Sequence, residues 1–297
     1  MTTTKHRIMS TFLFCLLALN SIASALAGEL PDTPAPDAPQ DTRIESYQPS
    51  PESGLSVWHK ESGGAGMLFF GTRHNFDPAS AQRTELTRLF EQFAPTLLIV
   101  EGGAWPVATS ADEAVRKYGQ MGLVTFLAAK RGIRVASFDA DFHAELLVVS
   151  QQFPAEVVKT YYVARLVPQL KAASGTTPSA AEIEKLLRSS DYSSTGDSSQ
   201  APATIDAFDR SVRSAVPGLK DWTALEYEHV AGIDRFNPEH KEMLNRVATA
   251  SQKFRDQTLA DLLLQALRNN DRVVVVAGLS HMLGVMQLVD IDAAFLK

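Results

Sequence analysis

Apolar and polar positions along this chain switch between a two-residue and a helical period, and the switches outline a succession of strands and helices. Leu55–Lys60 and Met67–Phe70 flank the glycine-rich turn 62–66, which is a hairpin signature. Leu86, Leu89, Phe90 and Phe93 recur at helical spacing within 78–93 and predict a helix that returns the chain to a buried strand at 96–100. A second helical stretch over 111–130 leads to a third core strand at 133–138. Between about 141 and 268 no strand pattern occurs, whereas the spacing in 144–170, 180–188 and 239–268 is helical. The Ser-, Gly- and Asp-rich stretch 189–203 interrupts it as a mobile surface loop or a lid. A strand at 272–277 and a short helix at 281–289 complete the pattern. This order predicts an α/β fold with a mainly parallel central sheet, an N-terminal hairpin, flanking helices and a helical insertion over about 141–268 before the last strand.

Residues 1–27 have the layout of a secretory signal: Lys5, His6 and Arg7, an apolar stretch from Ile8 to about Ile22, then Ala25-Leu26-Ala27 before Gly28. Cleavage is expected after Ala27, with a periplasmic or secreted destination. The apolar stretch falls short of the roughly 20 residues of a membrane span, so no transmembrane segment is expected once the signal is removed. The single cysteine, Cys15, lies inside the signal and is followed by Leu16-Leu17, which argues against a lipid anchor. The mature chain therefore has no thiol for a nucleophile, a disulfide or a thiolate metal site. Residues 28–52 contain Pro31, Pro34, Pro36, Pro39, Pro49 and Pro51 among polar neighbours and read as a tether, leaving 53–297 as the α/β domain. Removing the signal takes Lys5 and Arg7 from 28 basic residues and none from 34 acidic ones, leaving −8. That balance speaks against nucleic acid as a partner.

Candidate chemistry sits where the predicted strands end. Gly71-Thr72-Arg73-His74 follows Met67–Phe70, Gly278-Leu279-Ser280-His281 follows Val273–Ala277, and Thr96–Val100 runs into Glu101-Gly102-Gly103. Ligands of open α/β sheets bind beyond the carboxyl ends of strands, where His74, Glu101 and His281 would converge as two imidazoles and a carboxylate. The glycines are read as letting the backbone turn sharply and approach an ion. Asp139, Asp141 and His143 alternate and would face one side of an extended segment as cation ligands. A helix starting at Asp141 would instead make that residue an N-cap and His143 a first-turn residue. Gly278-Leu279-Ser280-His281-Met282 is a poor nucleophile elbow, because Met282 stands where a second glycine is needed. Glu226–His229 and Glu239–Glu242 read as solvated helical faces.

The hairpin leading into Gly71-Thr72-Arg73-His74, the strand ending on Glu101, and Val-Val-Val-Val-Ala-Gly278-Leu-Ser-His281 with Gly284 after it resemble the TraB/GumN/TIKI family. The resemblance covers most of 55–290. It implies a relation to erythromycin-esterase-like and ChaN-like haem-uptake proteins and a metal role for His74, Glu101 and His281. It also implies a functional arginine on a late helix, which maps onto Arg255, with Asp256 where the family has asparagine. The third strand departs from the family's pattern in Phe138–His143.

The function expected from these residues is metal-dependent hydrolysis of a peptide or small-molecule ester substrate, with manganese, cobalt or zinc as the divalent ion. Arg255 is expected to stabilise developing negative charge, and Asp139 or His143 to orient water or act as general base. The alternative is a non-catalytic haem-, metal- or ligand-binding regulatory protein on the same scaffold.

Overall fold

The computed structural model describes residues 48–50, 54–62, 64–73, 75–139, 142–189, 201–233, 238–269 and 271–289. The signal sequence, the cleavage site and most of the tether therefore lie outside the described residues. So do His74, Asp141 and the core of the Ser-rich stretch.

Six strands form one sheet: β1 Gln48–Ser50, β2 Leu55–Ser62, β3 Ala65–Thr72, β4 Leu97–Val100, β5 Arg134–Ser137 and β6 Arg272–Gly278. Their order is β1-β2-β3-β6-β4-β5. The two pairings at the β1 end are antiparallel and the three others are parallel, so the chain has the mainly parallel α/β fold its pattern predicts. β1 falls within the stretch read as tether; only three residues long, it carries too little pattern to be seen in sequence.

Alternate residues of the central strands go to opposite faces, and both faces are covered. Leu68, Phe70, Leu98, Val100, Val274 and Val276 pack on one side with helices α1 (Ala81–Phe93) and α2 (Ala111–Arg131). Met67, Phe69, Ile99, Val273 and Val275 pack on the other with Leu259, Leu263 and Leu267, and with Met282 and Val285 of the final helix. Burial on both sides is why these strands read as continuous apolar runs rather than alternating ones.

The chain divides into two compact units, one of sheet and flanking helices (to Ala140, then from Arg255) and one comprising 141–254. The described part of the second unit is helical: α3 Phe142–Ser150, α4 Ala155–Ala164, α5 Leu166–Ser174, α6 Ala180–Leu187, α7 Ile205–Ala215, the short α8 Tyr227–Val230 and the start of α9, Met243–Arg268. Its own core includes Leu146, Tyr162, Ile183, Phe208, Val212 and Leu244. α7 was not predicted, although Ile205, Phe208, Val212 and Ala215 keep helical spacing directly after its N-cap Thr204. The helix α10, Leu279–Leu288, follows β6 without a loop. Among the described residues no helix is long and apolar enough to cross a membrane.

Candidate functional site

The strand order decides which residues meet. β6 lies between β3 and β4, with Thr72 paired to Gly278 and Val100 to Val276, so all three strand ends face one edge. Glu101 leaves β4 there, and its backbone N–H still donates to the Val276 carbonyl (3.2 Å). Gly102 and Gly103 then turn with φ of 90° and 76°, in the left-handed region that favours glycine. The two N–H groups freed by this turn donate to Asp139 Oδ2 (2.8 Å) and Ser137 Oγ (2.9 Å). The turn after β4 is thereby fastened to the end of β5.

Three charged side chains from three other segments close around Glu101. Arg255 Nη2 donates to Glu101 Oε1 at 2.9 Å and to Asp139 Oδ2 at 2.7 Å, while its Nε donates to Asp139 Oδ1 at 2.6 Å. The guanidinium also lies over the Phe138 ring, 5.5 Å from its centroid. Glu101 Oε2 accepts the Gly278 N–H at 2.8 Å. His281, only 4% exposed, stands with Nε2 3.6 Å from Glu101 Oε1 and Nδ1 2.5 Å from Asp256 Oδ1. Burial and the Arg255 charge favour a neutral imidazole, but the Glu101 charge and the bonds to Asp256 and Glu101 outweigh them and push its pKa up to about 9.

The structure thus unites Glu101, Asp139, Arg255 and His281 from the sequence-based candidates. It corrects several details. Asp139 has both oxygens committed to the Arg255 fork and the Gly102 N–H, so it is built to hold the arginine rather than to act as a free general base. His143 is an exposed residue of α3 in the helical unit. Neither Gly71 nor Gly278 has a positive φ. A Cβ on Gly71 would stand 2.9 Å from Leu279 Cδ1 and 3.1 Å from Met282 Sδ, so this glycine makes room for α10.

Asp256 is the residue the sequence reading left without a role. It is 5% exposed and continues the buried stripe of α9 through Leu259, Ala260, Leu263 and Leu267. An acid on the apolar stripe of a helix requires a partner, and that placement is the signal that could have found it. Gly284 gives it space: a Cβ there would sit 2.0 Å from Asp256 Oδ2.

The described part of the cluster fits one divalent cation in three respects. Two donors at about 2.0–2.1 Å from a tetrahedral ion lie roughly 3.4 Å apart. The 3.6 Å between His281 Nε2 and Glu101 Oε1 is close to that separation. A hydrogen bond from Nδ1 to a carboxylate, as His281 makes to Asp256, leaves the Nε2 lone pair for coordination. With His281 neutral, Glu101, Asp139 and Asp256 against Arg255 leave a charge of −2, which a divalent ion would balance. Among the described residues no group of three His, Cys, Asp or Glu side chains is arranged to hold a metal, and the third donor implied by the resemblance, His74, lies outside them. No family model, curated protein or solved structure matches the chain.

Proposed function

We propose that this chain is an exported, TraB/GumN/TIKI-like metal-dependent hydrolase that cleaves a peptide or ester bond with water. The reading rests above all on one observation: Glu101, Asp139, Arg255 and His281, drawn from four separate segments, converge at the carboxyl edge of parallel strands. His281 and Glu101, with His74, would hold the ion. A divalent cation there supplies Lewis acidity, lowering the pKa of water and polarising a carbonyl.

The chain's own residues do the rest. Asp256 fixes the His281 ring so that Nε2 faces Glu101, and the Gly278 N–H fixes the far oxygen of Glu101. Asp139 holds Arg255 at two points beside Glu101. The arginine then presents a pre-oriented positive charge where a carbonyl oxygen gains negative charge as water adds to its carbon. Because the fork is held before substrate arrives, no reorganisation is needed during the reaction.

The test is elemental analysis of the purified chain, followed by assay of a peptide and ester library with and without Mn²⁺, Co²⁺ and Zn²⁺. Wild type should carry about one ion per chain and cleave at least one substrate only when loaded. His281→Ala should lose the ion, and Glu101→Gln should be inactive, with the far-ultraviolet circular dichroism of both near wild type. Metal content unchanged in His281→Ala sinks the reading.

A further inference from the structure

Helix α2 is broken on purpose-built geometry. Gly119, in its middle, has φ 62° and ψ −150°, a conformation open essentially to glycine alone. A Cβ there would also stand 3.1 Å from the Asn75 carbonyl oxygen, so the break brings the helix directly against the segment after β3. Gln120, the next residue, is 5% exposed. Its Oε1 accepts the Asn75 N–H at 3.2 Å, and its Nε2 donates to Thr72 Oγ1 at 3.0 Å. Thr72 Oγ1 in turn donates to the Ala277 carbonyl at 3.1 Å. A second buried amide, Gln82, donates to the Arg73 carbonyl at 3.1 Å. The chain is therefore pinned at Thr72, Arg73 and Asn75, on both sides of His74, and the pin continues into the strand that delivers His281.

We propose that Gln120 is a positioning residue that ties Thr72 and Asn75, the described residues around the first Gly-x-x-His motif, to the strand that delivers His281. The inference rests on the metal reading above and adds a residue that the Gly-x-x-His motifs do not contain. Several features point the same way. A glycine inside a helix costs about 1 kcal/mol relative to alanine, and a strained backbone persists where its surroundings enforce it. Here the strained residue is followed at once by a buried amide with a partner for its donor and its acceptor, both in the same turn. A helix running straight past the sheet would need neither the glycine nor the amide. Thr125, five residues on, marks the contrast: its hydroxyl is buried on the same helix with no hydrogen-bond partner among the described residues.

The test compares Gln120→Met, which keeps the length and removes the amide's hydrogen bonds, with Thr125→Val as a matched buried polar-to-apolar change on the same helix. Full-length chains are stripped of metal and titrated with Mn²⁺, and amide hydrogen exchange is followed at Asn75. Gln120→Met should bind Mn²⁺ roughly 10–100-fold more weakly, as expected when support around a ligand is lost, and exchange Asn75 faster. Thr125→Val should match wild type in both. If Gln120→Met fails to fold, Thr72→Val, which cuts the link between Gln120 and Ala277, is read in the same way. Tight Mn²⁺ binding by wild type and variant alike overturns the role of Gln120 and leaves the metal reading standing. A wild-type chain that takes up neither Mn²⁺, Co²⁺ nor Zn²⁺ overturns the metal reading, and the role of Gln120 falls with it.

Discussion

His281 shows how much one side chain depends on its neighbours. Its pKa is raised from 6.5 to about 9 because Asp256 and Glu101 outweigh burial and Arg255. A group whose folded pKa is raised contributes stability that is fully present below its unfolded value and lost as pH rises through the folded one. The metal-free protein should therefore lose stability between about pH 6.5 and pH 9, a loss visible in denaturant midpoints and missing in His281→Asn. The same proton competes with a metal ion, so divalent affinity should rise across that range. Gly284→Ala is the sharper substitution, since its methyl would take the space of the Asp256 carboxylate. It should drop the His281 pKa toward its ordinary value, read by NMR titration, while α10 stays helical. An unchanged titration would mean that Asp256 does not set the charge of His281.

Arg255 belongs to the scale of elements, because α9 carries it and the turns after β4 and β5 supply its two carboxylate partners, Glu101 and Asp139. Removing Asp139 leaves a largely buried guanidinium short of its main partner, which costs on the order of 3–5 kcal/mol where such pairs are buried. Asp139→Ala should accordingly lower the unfolding midpoint more than Arg255→Lys does. Arg255→Lys keeps the charge and loses the planar fork, so its expected signature is a fall of about a hundredfold in turnover with metal content retained. Equal turnover in Arg255→Lys and wild type would remove the arginine from the chemistry.

The central strands, α1 and α10 were legible because unbroken apolar runs and helical stripes mark buried elements of ordinary length. The carboxylate and the second histidine were legible because each follows such a run, whereas the arginine was singled out only by the resemblance to the TraB/GumN/TIKI family. The roles of Asp256 and Gln120 were not legible. Each residue acts through a partner far along the chain, 25 residues away for His281 and 48 for Thr72; the helical period marks Asp256 as a buried acid in need of a partner, but no local period names that partner. The expected turning role of Gly71 failed for a related reason: a close approach by α10 and a positive φ both select glycine, and sequence cannot tell them apart.

At the scale of the whole molecule, two compact units have separate cores. Phe208 is fully buried in the helical one, where truncation to alanine typically costs about 3–5 kcal/mol. Phe208→Ala should raise amide exchange through the described helices of 142–254 while the amides of β3, β4 and β6 keep their protection. Loss of protection in all strands together would show that the two units unfold as one.

The placement of β6 between β3 and β4 has a further consequence for how this chain comes to be folded. The partner strands on either side of it are finished early, yet the Thr72-to-Ala277 bond spans 205 residues. Until β6 is made, β3 and β4 have nothing between them, and Glu101 lacks both the Gly278 N–H and His281. Closing so distant a pairing is slow and leaves sheet edges open meanwhile. The event that seals the sheet is also the one that assembles the charged cluster, so a partly synthesised chain has open sheet edges and an incomplete cluster.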